Sequence, residues 1–428
     1  MENITSSPRF RRQAVTPDEA ARRILERLSP LAAETVPLAE AWDRHLAEPF
    51  AAPYGYPPFR RAMMDGYAVR AADLPAKAGE EPALLEVLEN LPAGAVPGVP
   101  VGPGQASRIM TGAMMPEGAD TVVMLEKTEL ETHGGKTCVR IAKPVPKGRN
   151  VAEAGSEIQA GRPLFSAGRR IGAGETALLA AFGQASVAVT RRPRVGVIST
   201  GSELLDVDMP PEPGKIRDTN TWMLAGLIRR AGGVPAVYRR APDRREEVLE
   251  RLRRALAECD LVLTTGGVSV GDSDVMADLI GSGAEGGEML FNKVAMRPGS
   301  PTSAAVWDGK LLLALSGNPG ACFVGFHLFA APAIRKLLGC AAVRPPAVRA
   351  RLMEPHAKAD AYTRFVRSRL IFENGEVWVR PTGADQSSLM ITMAGADCLA
   401  VIPPLKEPLQ RGDWVTALVL RETEDEPI

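Results

Sequence analysis

Apolar positions along the 428-residue chain change period several times, and the changes divide it into segments. Near the start, Ala20, Ile24, Leu25 and Leu28 recur at helical spacing behind Thr16-Pro17-Asp18-Glu19, which has the residue types of a helix start. The spacing predicts a helix ending near Ser29-Pro30, and a second short helix is expected over 38–46. Pro49, Pro53, Pro57 and Pro58 then force an extended path, so a boundary falls there. From 83 to 158 the period shortens to that of strands (LLEVLEN, SRIMTG, TVVMLEKTEL, KTCVRIAKPV), with His133-Gly134-Gly135 as a hairpin turn. The glycines and prolines of LPAGAVPGVPVGPGQ read as an exposed loop on this β domain and not as a phosphate fingerprint. Helical character returns over 155–188, and the two helical pieces flanking the β insert are expected to pack as one discontinuous domain.

RVGVIST at 194–200 opens a β/α alternation that lasts to about residue 339. Helices are expected at 221–231, at 243–258, from Asp274, and through 322–338. Strands are expected at VPAVYRR and LVLTTG, near 289–296 and within 301–316. Asp308-Gly309 between SAAVW and KLLLALSG is a hairpin signal that makes the last part of the sheet antiparallel, hence a mixed sheet. After Pro345-Pro346, segments such as RFVRSRLIF, EVWVRPT and DWVTALVL run at strand lengths and predict a C-terminal β barrel or sandwich. The fold class is therefore multidomain α/β plus β. The expected domains are 14–48 with 156–190 (helical), 49–155 (β insert), 191–340 (α/β) and 341–428 (C-terminal β).

Composition narrows the function classes. Lys plus Arg equals Asp plus Glu at 51 each, so no overall positive field draws in nucleic acid or an anionic membrane, and any anion site must be local. Five cysteines without CxxC spacing suit reduced thiols, and four scattered histidines give no zinc pattern. No apolar run long enough to span a bilayer appears, and the expectation is a soluble cytoplasmic protein.

The chemistry concentrates in DLVLTTGGVSVGDSDVM, 260–276. A buried strand runs into Gly266, Gly267 and Gly271, which let backbone N–H groups approach an anion, and Asp272 and Asp274 follow as carboxylates for a divalent cation. A tight turn with Ser273 or Asp274 as helix N-cap accounts for the same residues. The other strand ends also deliver polar residues to the carboxyl edge, where open α/β sheets bind ligands. These are Ser199-Thr200-Gly201-Ser202-Glu203, Gly214-Lys215-Ile216-Arg217-Asp218-Thr219-Asn220-Thr221, Asn292-Lys293-Val294-Ala295-Met296-Arg297-Pro298-Gly299-Ser300-Pro301 and Ser316-Gly317-Asn318-Pro319-Gly320. Lys293 and Arg297, read as lying on one side of a strand, are candidate clamps for a tetrahedral dianion.

With Asp65-Gly66-Tyr67-Ala68 and Arg108-Ile109-Met110-Thr111-Gly112, this set, over nearly the whole chain and in matching order, resembles the MoeA family of molybdopterin molybdenumtransferases, whose module also occurs in gephyrin. The resemblance implies a homodimer of elongated four-domain subunits with 191–340 as the molybdopterin-binding domain. It also implies Mg²⁺-dependent conversion of adenylylated molybdopterin and molybdate into molybdenum cofactor and AMP, with cofactor-pathway proteins as further partners. Carried over by position, it assigns Asp65, Thr111, Glu203, Asp243 and Asp274 to catalysis, with Asp65 a candidate proton donor. Asp272, Asp274 and Glu203 are assigned to the metal. Thr200, Gly201, Gly266, Gly267, Ser269, Gly271, Lys293, Arg297, Pro298, Asn318, Arg364 and Ser387 are assigned to the pterin nucleotide and molybdate. Structural alternatives stand beside these: Glu203 suits the first turn of a helix and Asp243 an N-cap after Pro242.

The chain departs from the family pattern at Glu157, Ser202, Ser300, Ser316 and Ala321, and Arg364 stands in for the arginine of a missing GR start. Ser300 and Ala321 take a charge and a hydroxyl from an anion site, which leaves a non-catalytic pterin-binding or scaffold protein as the second reading. A phosphotransferase is disfavoured because no GxxxxGKS motif is present.

Overall fold

The computed structural model describes residues 13–241, 245–266, 287–357, 360–404 and 407–420. The first helix, α1 (Pro17–Leu25), is capped by Thr16, whose side chain accepts from the Glu19 N–H, and it buries Ala20, Ala21 and Ile24. The helix expected over 38–46 does not form. Only a single 3-10 turn, Leu38–Glu40, follows the strand Ala33–Pro37, which pairs antiparallel with Ser186–Thr190. Asp43 then takes φ 60°, which no right-handed helix admits.

The chain divides into two compact units, one of 49–166 with 177–184 and one of the remaining residues. The smaller is built on a six-stranded sheet of β1 (Gly66–Val69), β2 (Ala83–Leu91), β3 (Gln105–Ile109), β4 (Thr121–Met124), β5 (Glu129–His133) and β6 (Lys136–Ile141), in the order β4-β1-β3-β2-β6-β5. The β5–β6 hairpin turns on Gly134 and Gly135, both at positive φ, as the sequence predicts. Gly66 has no substitute: a Cβ there would sit 1.9 Å from the Val123 carbonyl oxygen.

In the larger unit, β7 (Arg194–Thr200), β8 (Val234–Ala241), β9 (Leu261–Thr265), β10 (Gly287–Phe291), β12 (Ser303–Trp307) and β13 (Lys310–Leu315) form a mixed sheet ordered β8-β7-β9-β13-β12-β10. A two-residue strand, β11 (Met296–Arg297), lies outside it. The four strands β8, β7, β9 and β13 are parallel, and the Asp308-Gly309 turn reverses β12 as expected. Both faces are covered, which is why β7 and β9 read as unbroken apolar runs. Val195, Val197, Leu261 and Leu263 pack with Leu224 and Ile228 of α2 (Asn220–Arg230) and with Phe326 and Phe329. Ile198 and Val262 pack on Val248, Leu252 and Leu256 of α3 (Arg245–Glu258).

At the opposite end of the strands Asp260 staples β7 to β9. Arg191 donates to it at 2.6 and 2.8 Å and the Arg194 N–H at 2.9 Å. Burial would raise its carboxyl, but these donors bring it below the usual carboxylate value. The last helical run begins as α4 (Pro319–Gly325) and continues through a π turn at Phe326–Ala330 to Leu337.

The C-terminal strands β14 (Ala347–Leu352), β15 (Thr363–Glu373), β16 (Glu376–Pro381), β17 (Cys398–Ile402) and β18 (Trp414–Val419) run β15-β16-β14-β18-β17 and close through β15–β17. The choice between sandwich and barrel thus resolves as a closed five-stranded barrel around Ala350, Val366, Val379, Ala400 and Ala417. Strand β11 pairs parallel with β15, putting Arg297 opposite Arg364. Among the described residues no helix is long and apolar enough to cross a membrane.

Candidate functional site

At the carboxyl ends of β7, β9 and β13 the larger unit opens into a cleft of about 1640 Å³. That exceeds the few hundred to about 1,000 Å³ of ordinary small-ligand pockets, so the cleft suits an extended ligand. Its wall contains ten of the residues chosen from the sequence: Thr200, Gly201, Glu203, Gly266, Lys293, Arg297, Pro298, Asn318, Arg364 and Ser387. Asp243, Gly267, Ser269, Gly271, Asp272 and Asp274 lie outside the described residues. Asp65 and Thr111 belong to the smaller unit.

The floor is made by strand ends that cannot carry side chains. Gly266, at φ 88°, follows β9, and a Cβ on it would stand 2.3 Å from the Thr200 carbonyl oxygen at the end of β7. Gly317 lies against it, its own virtual Cβ 3.4 Å from the Gly266 Cα. Backbone is thereby exposed to a ligand where side chains would otherwise stand between them.

Five cations line the described part of the cleft, Lys215, Arg217, Lys293, Arg297 and Arg364, against three carboxylates, Glu203, Asp218 and Asp385. Their availability differs. Arg297 pairs with Asp360 at 3.0 Å. Arg364, half-buried, lies 3.0 Å from Asp360 and 2.5 Å from Asp385. Lys215 pairs with Glu212 at 2.7 Å. Lys293 has no carboxylate partner among the described residues and stands 5.9 Å from the Tyr362 ring centroid. Arg217 likewise has no carboxylate partner among the described residues, its Nε donating to the Met209 carbonyl at 3.0 Å, so Lys293 and Arg217 are the freer anchors for an added anion. The sequence placed Lys293 and Arg297 on one face of a single strand, which the structure corrects: β10 ends at Phe291 and β11 is Met296–Arg297 alone. Between them the chain turns, with the Val294 N–H donating to Ser300 and the Ala295 N–H to Val15. Both side chains still reach the cleft because the loop, not a strand, presents them.

Sequence reasoning missed Asp360 and Asp385, since nothing local in the chain announces that they neutralise Arg297 and Arg364. It also quoted Asn220 without assigning it. Arg367 was passed over as well. Buried on the outer face of β15 against Gly320 of α4, it donates to Thr392 and to the Gln386 carbonyl at 2.8 Å each, holding the segment that brings Ser387 to the cleft. The Ser387 carbonyl in turn accepts from the Gly320 N–H at 2.9 Å.

Among the described residues no three His, Cys, Asp or Glu side chains gather to hold a metal. Glu203 and Asp218 are the acids near the sheet edge, and Asp218 is already committed to the Thr221 N–H and hydroxyl. The described residues alone do not make a Mg²⁺ site.

In the smaller unit, Asp65 and Thr111 come together from separate segments: Asp65 Oδ1 accepts from both the backbone N–H and the hydroxyl of Thr111 at 2.7 Å. The Thr111 N–H, then its hydroxyl, and then the charge of Arg108 hold the Asp65 carboxyl below the usual 3.8. Asp65 is thus an anion at neutral pH in this arrangement, the state that accepts a proton, whereas the role suggested from the sequence is that of a donor. Its folded-state value is depressed, so its contribution to stability is present above the ordinary carboxyl range and is lost only as pH falls through the lower folded value. Thr111→Val, which removes one donor, is expected to move the Asp65 midpoint up in an NMR titration. An unchanged midpoint would mean the hydroxyl bond is not formed in solution.

Three family models match in chain order: "MoeA N-terminal region (domain I and II)" over 15–183, "Probable molybdopterin binding domain" over 196–336, and "MoeA C-terminal region (domain IV)" over 349–420. A molybdopterin molybdenumtransferase of Bacillus subtilis (strain 168) is 40% identical over 412 residues, covering 96% of this chain and 95% of its own. One of Staphylococcus aureus (strain Mu50) is 39% identical over 415 residues, with 97% of each covered. A solved molybdopterin biosynthesis MoeA protein of Pyrococcus horikosii superposes with a TM-score of 0.82 at 31% identity, covering 96% of this chain and 100% of that one. Likeness of this extent, across the β insert, the cleft-bearing sheet and the closing barrel together, leaves one assignment: the chain belongs to the MoeA family.

Proposed function

We propose that this protein is an enzyme of molybdenum cofactor biosynthesis that inserts molybdate into adenylylated molybdopterin with release of AMP. The observation that carries the reading is the cleft itself. A glycine-floored sheet edge and a loop bearing a lysine with no carboxylate partner among the described residues face one extended cavity, which suits a nucleotide-linked substrate and a small oxyanion side by side. Relatives of 39–40% identity over the full length carry the transferase name, which favours the catalytic reading over a scaffold protein.

Attack of water on the anhydride breaks the P–O bond to give AMP and the pterin phosphate, and cations already fixed around the cleft stabilise the negative charge that develops without reorganising. Molybdate, a dianion, docks at Lys293. The substrate's two thiols carry two protons, enough for one oxygen to leave molybdenum as water as both sulfurs bind. Asp65 is then not needed as the donor, in keeping with its lowered carboxyl value. Thr200, Gly201 and Gly266 position the nucleotide-linked part at the floor, with Asn318, Ser387 and Pro298 on the facing wall. Arg364 and Arg297 orient that wall through their shared Asp360.

The finer points rest on the family resemblance: a homodimer, a cytoplasmic setting, cofactor-pathway partners, the four-domain division, and roles for Asp243, Gly267, Ser269 and Gly271. A Mg²⁺ requirement belongs with them, with Asp272 and Asp274 beside Glu203 as the carboxylates to hold it. The test is AMP release from adenylylated molybdopterin. It should require molybdate, stop when a chelator removes divalent cations, and resume with Mg²⁺. Binding without AMP release under any of these conditions would move the reading to a scaffold protein.

A further inference from the structure

At the cleft floor the side chain of Asn220 is only 7% exposed. Its Nδ2 donates to the Thr265 hydroxyl at 2.7 Å and to the Gly317 carbonyl at 2.8 Å. It thereby joins the first turn of α2 to the end of β9 and to the turn after β13. The orientation of the amide is forced. Gly317 O can only accept, and the Thr265 hydroxyl spends its proton on the Ser316 carbonyl at 3.1 Å, so both partners need the NH₂ side. The Oδ1 atom is then left buried with no hydrogen-bond partner among the described residues, and so is the hydroxyl of Thr200, a residue of the cleft wall at the end of β7. Both atoms lie buried beside the cleft, so the Asn220 amide is held there by its two donated bonds alone among the described residues.

The turn before Asn220 is held independently. Asp218 accepts from the Thr221 N–H at 3.1 Å and from its hydroxyl at 2.5 Å, and that hydroxyl also meets Ser199 Oγ at 2.5 Å. Helix α2 therefore keeps its start without the Asn220 side chain. The amide is committed to the relative placement of Thr265, Gly317 and the glycine floor between them.

We propose that Asn220 is a positioning residue of this cleft, holding the ends of β9 and β13 in the register at which the floor receives the nucleotide-linked substrate. The inference deepens the transferase reading and rests on it for the identity of the ligand.

Asn220→Asp tests it because the substitution keeps the shape and removes the donors. An ionised carboxylate faces two acceptors there, whereas a protonated one can donate a single bond. Two titratable groups adjoin this knot. Asp218 precedes Asn220 on its own turn, and the Cys322 thiol on α4 shares a hydrogen bond with Thr265 and is pushed by burial up to about 12, so it stays neutral. AMP affinity by calorimetry is the first readout. Asn220→Asp is expected to bind AMP at least about 10-fold more weakly than wild type at pH about 8, the size of one or two lost hydrogen bonds, and to recover part of that loss at pH about 5.5. Asn220→Ala should show the loss without the recovery. Thr265→Val, which keeps the Gly317 bond, should lose only a few-fold and covers the case in which the Asn220→Asp protein does not fold. Equal AMP affinity in all variants and wild type, or a loss in Asn220→Asp that ignores pH, would overturn the positioning role. Molybdate-dependent AMP release is measured alongside: its absence in wild type would sink the transferase reading, while the AMP affinities would still decide for or against Asn220.

Discussion

Gly266→Ala is expected to destabilise the protein by about 2–4 kcal/mol and to abolish tight nucleotide binding, the largest effect of any single methyl group in the cleft. Two causes add. Alanine at φ 88° pays the left-handed backbone cost, roughly 1–2 kcal/mol. Its Cβ would also stand 2.3 Å from the Thr200 carbonyl oxygen, an overlap relieved only if the end of β7 moves away from β9. The second term is the functional one, because Thr200 and Gly201 are displaced with it. Gly309→Ala is the control: it has φ 74° but nothing within 4 Å of the new Cβ, so it should show the backbone cost alone and leave nucleotide affinity intact. Equal losses of affinity in both variants, read by calorimetry beside thermal melts, would mean that the floor is not where the ligand lies.

Lys293→Ala is the second large effect, and it should be selective. The lysine has no carboxylate partner among the described residues, so its removal breaks no ion pair among them and the melting temperature should hardly change. A charged hydrogen bond to an oxyanion is worth about 1.5–3 kcal/mol, so the molybdate concentration for half-maximal AMP release should rise about 10- to 100-fold. Arg297→Ala should differ in kind, because it removes one of the two arginines that Asp360 joins and so loosens the loop facing the barrel. A Lys293→Ala enzyme with an unchanged molybdate requirement but weakened pterin-nucleotide affinity would assign the lysine to the other ligand.

How far the sequence foretold these results depends on whether the signal was local. The α/β sheet was legible because Val195, Val197, Leu261 and Leu263 have no polar alternation to confuse the period, and Asp308-Gly309 fixed where the sheet turns antiparallel. The barrel was half legible. Alternation in RFVRSRLIF marks a strand, but closure depends on Arg364 meeting Ile402 across the ring, a pairing that alternation alone cannot tell from a sandwich. Lys293 and Arg297 misled because Val294 and Met296 between charged residues mimic a strand, whereas the backbone N–H groups there serve Ser300 and Val15. The helix expected over 38–46 failed for the same kind of reason: its alanines and leucines suit a helix, but the preceding strand is claimed by 186–190 and the chain turns at Asp43. In the site, residues defined by backbone need, such as Gly201 and Gly266, and by charge, such as Lys293, could be picked from the chain. Asn220, Asp360, Asp385 and Arg367 could not, since each acts through a partner distant in sequence.

The central claim is that the cleft of the larger unit holds molybdate beside the glycine floor. Crystals soaked in molybdate and read by the anomalous signal of molybdenum test it most directly. The account predicts one strong peak within hydrogen-bonding reach of Lys293 Nζ, lost in Lys293→Ala crystals. A peak elsewhere on the protein with the cleft empty would contradict it.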